Sequence, residues 1–177
     1  LVGHSFGAAS SLLAAQRLAD THPLLLTVLL DTWAFSLPDT TLSSLPRVPL
    51  VSVLSHEWLA SQELFCVDLL LRTAHTAGLL RGSYCAAGSI HQSFSDTPTW
   101  LPQFVTGRMG LKGRKEPRGA VPRAVAKAVH EHILAEKAGN QDHFKADKAD
   151  GRLELEEYGW KGKLETQVGE MVRTGAE

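Results

Sequence analysis

Only two cysteines, Cys66 and Cys85, occur among the 177 residues. So few thiols cannot staple a scaffold, and no C-x-x-C pair marks a zinc or dithiol site. The expectation is one buried thiol and one loop thiol, and with it neither an extracellular nor a cytoplasmic location is excluded. An excess of one charge is also lacking: 18 Lys and Arg stand against 19 Asp and Glu, a net charge of −1. That balance argues against a nucleic-acid partner, which selects a basic surface. No apolar run approaches the ~18 residues of a spanning helix; Leu24–Leu30 is only strand-length. Internal repeats are absent, and so is the basic n-region of a secretory leader. The sequence opens on Leu1 and enters a sharp turn by Ser5, which sets the expectation of a C-terminal portion of a longer domain.

What is present is ordinary globular material, 44% hydrophobic and 21% charged. Charge divides it unevenly: residues 1–106 hold 4 basic and 7 acidic side chains, and residues 107–177 hold 14 and 12. The first part alternates helix and strand. Phe6 to about Asp20 is rich in Ala and Leu, with Leu12, Leu13 and Leu18 available for one face. Leu24–Asp31 and Val48–Ser55 are continuous apolar runs of the kind buried on both faces of a parallel sheet. Glu57–His75 repeats Leu59, Leu64, Val67, Leu70 and Leu71 at helical spacing, Gly78–Gly82 reads as a third strand, and Ala120–Lys137 as an amphipathic helix. This order predicts an α/β fold, a parallel sheet joined by right-handed crossovers and flanked by helices, over residues 1–138. From Gly139 the sequence turns polar, and residues 139–177 are expected to be a loosely attached or disordered tail.

Chemistry concentrates in Gly3-His4-Ser5-Phe6-Gly7, a G-x-S-x-G between an apolar Leu1-Val2 and a helical pattern. That strand–turn–helix context is the one in which the motif makes a nucleophile elbow. The serine backbone is strained, the two glycines relieve collisions with strand and helix, and the helix N-terminus favours developing negative charge. A serine hydroxyl needs a base and an orienting acid, which in this arrangement follow in the order Ser, Asp or Glu, His. Asp31 ends the run LLLTVLLD, where an acid is expected; its rivals are Asp39 in a loop and Asp68 in mid-helix. His91 occupies a loop after the last strand. His4 lies inside the turn and points away from the serine hydroxyl, while His22, His56 and His75 flank regular elements and His143 is in the tail.

Metal chemistry finds no support. His130 and His132 are i,i+2 on a helix and project to nearly opposite sides. Asp150, Gly151 and Glu157 match part of a calcium loop, but Ala146 and Lys148 stand at its first and third ligand positions.

GHSFGAA, LLDTWAFSLPD and the pair RGS…SIHQSFSD together resemble the platelet-activating factor acetylhydrolases, serine-dependent phospholipases A2, and PLVSVLSHEW and TGRMGLKG match more loosely. The resemblance covers about residues 1–113 and extends more loosely over Ala120–Ile133, with the tail unmatched. It implies an α/β-hydrolase, its N-terminal half outside this sequence, that removes short or oxidised acyl groups from the sn-2 position of phospholipids without calcium or other cofactor. Carried over, Ser5 is the nucleophile, Asp31 the acid, His91 the base and the Phe6 N–H one oxyanion donor, with Trp33 and Gln92 lining the pocket. The implied partners are a phospholipid substrate and a peripheral membrane or lipoprotein surface, toward which Lys112, Arg114, Lys115, Arg118 and Arg123 offer basic charge. One departure stands out: Tyr84-Cys85-Ala86-Ala87-Gly88-Ser89 intervenes between Arg81-Gly82-Ser83 and the histidine, like an insert beside the base. Two other readings stay open, another lipase or carboxylesterase of the same fold and an inactive truncated fragment.

Overall fold

The computed structural model describes residues 1–59, 61, 64–86, 88–95, 100–110, 120–139 and 155–157. Four parallel strands, β1 (Val2–His4), β2 (Thr27–Leu30), β3 (Leu50–Ser55) and β4 (Leu80–Ala86), lie side by side in sequence order. A fifth, β5 (Leu155–Glu157), pairs antiparallel with β4. The connections carry α1 (Phe6–Leu18), α2 (Asp39–Ser43), α3 (His56–Leu59) and α4 (Leu64–Thr76), and α5 (Gln103–Arg108) and α6 (Ala120–Lys137) follow β4. The predicted α/β architecture is the observed one.

Strand alternation sorts the core into two layers. Leu29, Leu50 and Leu54 face α1, α2 and α4 through Leu12, Leu42, Val67, Leu70 and Leu71. Val28, Leu30, Val51 and Val53 face the other way, onto Val121, Val125 and Ala128 of α6. Because both faces are covered, β2 and β3 are buried along their whole length, which is why they read as unbroken apolar runs.

Two elements differ from the periodicity. The single helix expected over Glu57–His75 is two: Ser61 turns back on Trp58, its N–H and Oγ both donating to the Trp58 carbonyl at 3.1 and 2.9 Å. Leu59 and Leu70 stand eleven residues apart, close to three whole helical turns, so the pattern hides the break. The third strand runs to Ala86 rather than Gly82, with Val53, Leu54 and Ser55 pairing Tyr84, Cys85 and Ala86. Tyr84, Cys85 and Ala86, the first half of the stretch that intervenes before His91, thus belong to β4, and Gly88-Ser89 leads into the histidine. Cys85 is correspondingly buried in a strand and Cys66 half-buried on α4, so neither is a loop thiol.

Two polar links fasten α6 to β4. Tyr84 Oη and His132 Nε2 meet at 2.9 Å, both residues almost fully buried, and Arg81 pairs with Glu136. His130, two residues from His132, is exposed, so the two imidazoles do face apart. Replacing Tyr84 with Phe removes a buried hydroxyl that His132 meets; urea unfolding is expected to show a loss of about 1–3 kcal/mol.

Candidate active site

Each chemically marked residue lies where a parallel strand ends. Ser5 follows β1 and opens α1, Asp31 follows β2, and His91 begins a 3-10 turn, His91–Phe94, in the connection after β4. Ser5 and Asp31 both hold positive φ, 60° and 42°, unusual for residues with a side chain. Main-chain bonds hold them there: Ser5 N–H donates to the Leu30 carbonyl at 2.9 Å and Asp31 N–H to that of Val53 at 3.0 Å. A Cβ on Gly3 would sit 2.3 Å from the Gly7 carbonyl oxygen, so only glycine lets α1 leave β1 so abruptly. Gly7 differs from expectation: no described atom lies within 4 Å of a Cβ built there.

These placements bring three side chains into one line. Asp31 Oδ2 is 3.1 Å from His91 Nδ1, and His91 Nε2 is 3.0 Å from Ser5 Oγ. A carboxylate accepts and does not donate, so the proton sits on Nδ1 and the Nε2 lone pair receives the serine hydroxyl. Asp31 is fully buried, and its Oδ1 accepts the Ser55 N–H at 2.5 Å. A hydroxyl, an imidazole and a buried acid so joined can pass a proton from oxygen to nitrogen as the oxygen attacks an electrophilic carbon. The rivals are placed otherwise: Asp39 opens α2, and Asp68 pairs with Arg72 at 2.7 Å.

Around the imidazole lie residues that carried no motif. Trp58 stacks on the His91 ring at 4.5 Å and 19°, and His4 lies 4.6 Å away at 39°. His4 Nε2 donates to the His91 carbonyl at 3.0 Å, Glu57 Oε2 accepts the His91 N–H at 2.8 Å, and Glu57 N–H donates to the Ser89 carbonyl at 3.2 Å. Nothing in a sequence marks contacts to main-chain atoms, so His4 was expected only to point away from the hydroxyl. Trp33 stands 6.4 Å from the His91 ring and 5.4 Å from Phe35, both exposed like Phe6. Gln92 is exposed in the turn. No cluster of three or more His, Cys, Asp or Glu able to hold a metal occurs among the described residues. The loop containing Ala146, Lys148, Asp150 and Gly151, and the basic residues Lys112, Arg114, Lys115 and Arg118, lie outside them.

Gly3→Ala is expected to cost about 3 kcal/mol or more, since the new methyl meets the main chain of Gly7 and Ala8. Gly7→Ala should leave stability unchanged or raise it by up to about 1 kcal/mol, and the two are separated by their urea midpoints. Burial first, and then the His91 charge, hold His4 below the ordinary histidine range, against the pull of Asp31 and of its bond to the His91 carbonyl. The unfolded chain therefore takes up this proton more readily than the folded one as pH falls through that range, and the fold weakens. Between about pH 7.5 and about pH 5.5, wild type should lose more stability than His4→Gln in chemical denaturation.

The family model described as platelet-activating factor acetylhydrolase, isoform II, matches residues 1–156. It runs well past the last sequence motif near residue 113 and takes in α6 and most of β5. No match was found among curated proteins. The family has the α/β-hydrolase fold and acts on esters, in keeping with a helix-flanked parallel sheet. The chain belongs to the platelet-activating factor acetylhydrolase, isoform II family.

Proposed function

We propose that this chain is a calcium-independent serine esterase that removes a short or oxidised acyl group from the sn-2 position of a phospholipid through an acyl-serine intermediate. The observation that carries the reading is the hydrogen-bonded line Ser5–His91–Asp31 in a member of this family. Ser5 Oγ attacks the ester carbonyl carbon while His91 Nε2 takes its proton, and Asp31 steadies the imidazolium that forms. Negative charge on the carbonyl oxygen falls toward the Phe6 N–H, at the N-terminus of the 13-residue helix α1. When the bond to the lysophospholipid oxygen breaks, His91 returns the proton to it. A water molecule, activated by the same imidazole, then cleaves the acyl-enzyme and regenerates Ser5.

Trp33, Phe6 and Phe35 supply exposed apolar surface near the nucleophile, suited to an acyl chain and to lipid, and Gln92 offers a polar contact beside the base. Peripheral contact with a membrane or lipoprotein surface fits this reading, because no helix among the described residues is long and apolar enough to cross a bilayer.

The test is labelling by a fluorophosphonate together with acetate release from a 1-alkyl-2-acetylglycerophosphocholine, on the natural polypeptide at its full length. Ser5→Ala is expected to abolish labelling and lower acetate release by at least about 10³-fold. Absence of labelling in wild type would sink the esterase reading. Labelling of Ser5 without acetate release would move the chain to another carboxylesterase of the same fold.

A further inference from the structure

The strand order poses a problem for the base. Ser5 stands at the end of β1 and the His91 segment departs from β4, three strand spacings away, or about 14 Å. The segment returns from Ala86 to His91 across the ends of β3 and β2, turning through Gly88 at a φ of 70°. An unsupported crossing of that length would leave the imidazole free to swing away from Ser5.

We propose that Glu57 and His4 are positioning residues that clip the main-chain N–H and C=O of His91 and so fix the reach of its imidazole to Ser5. The inference rests on the reading of Ser5 as nucleophile and His91 as its base. Glu57 sits on α3, directly at the end of β3, where the crossing segment passes overhead. Although exposed, it holds the segment twice, receiving the His91 N–H through Oε2 and giving its own N–H to Ser89. His4, the last residue of β1, fastens the other side through the His91 carbonyl, which only accepts, so His4 Nε2 must carry a proton. Both main-chain polar groups of one residue are therefore taken by side chains from two different strand ends. Trp58 and His4 close on the ring between those anchors, and Asp31 and Ser5 take its two nitrogens.

The clip is tested by the rate of fluorophosphonate labelling of Ser5, and by kcat and KM for p-nitrophenyl acetate, in the natural full-length polypeptide. Glu57→Ala removes the acceptor and His4→Phe keeps a ring without the donor. Each is expected to slow labelling and kcat by about 10- to 100-fold, the cost of a displacement near 1 Å, with KM within about twofold. Glu57→Gln and His4→Gln, which restore an acceptor and a donor, should return both rates to within about fivefold of wild type. A general loss of fold would not produce that selective recovery. Should Glu57→Ala fail to fold, Glu57→Asp shortens the same arm by one methylene and should show the same kcat loss at unchanged KM. Wild-type labelling rates in Glu57→Ala and His4→Phe would overturn the clip while leaving the nucleophile intact, as would glutamine variants no faster than those two. An unlabelled wild type would overturn the reading of Ser5 instead.

Discussion

Everything at the site answers to one geometric demand: a side chain carried in from β4 has to meet an oxygen at the end of β1. Parallel strands are spaced by main-chain hydrogen bonds at about 4.8 Å, so the sheet that places Ser5, Asp31 and Ser55 with great regularity also holds His91 far from its target. Ser5 and Asp31 are neighbours by construction, one strand apart. His91 is not, and the chain compensates by crossing over β3 and landing on α3. The short helix directly after β3 is thus a support for the crossing as well as a connection. Ser55 serves in the same place from below, giving its N–H to the second oxygen of Asp31.

A second demand is that the strand ends be stiff enough to hold strained residues. Positive φ at Ser5 and Asp31 is tolerated where the surroundings over-determine it. The ladder does so, since the bonds from Ser5 to Leu30 and from Asp31 to Val53 continue the pairing one residue past the regular strands. Close docking of α1 on β1 completes the constraint, with Gly3 against the main chain of Gly7 and Ala8. Strain at the turn and burial at the strand are consequently one arrangement: the apolar runs that fix β2 and β3 in the core are what permit the residues just beyond them to be held in uncommon conformations.

How far the sequence discloses this follows from which atoms are used. Ser5, Asp31 and His91 are readable because side-chain chemistry and position relative to an apolar run coincide at each. The α/β architecture is readable because strands buried on both faces carry unbroken runs such as LLLTVLL, and α6 because Val121, Val125, Val129 and Ile133 recur on one face. Glu57 and His4 escape because they bind main-chain atoms, and Ser55 because it acts through its own main-chain N–H, none of which a residue name conveys. The break between α3 and α4 escapes because Leu59 and Leu70, eleven residues apart, preserve the helical period across it. The extent of β4 was misjudged for a related reason: Gly82 reads as the end of a strand, yet Tyr84, Cys85 and Ala86 carry on beside Val53, Leu54 and Ser55.

That correction changes which parts of the chain support the base. With Tyr84 inside β4, its bond to His132 ties the strand to α6 two residues before the crossing segment begins, and the pair of Arg81 with Glu136 fastens the strand's other end to the same helix. Phe94, at the end of the turn that His91 begins, packs against the layer to which Val121 and Val125 belong, and the turn touches α6. The segment bearing the imidazole is therefore held at both ends by one helix that contributes no group to the chemistry, and in its middle by α3 and His4. Since α6 lies beyond the motifs that end near residue 113, the stretch of chain that fixes the base is longer than the stretch that announces it, and the family match likewise continues past α6, to residue 156.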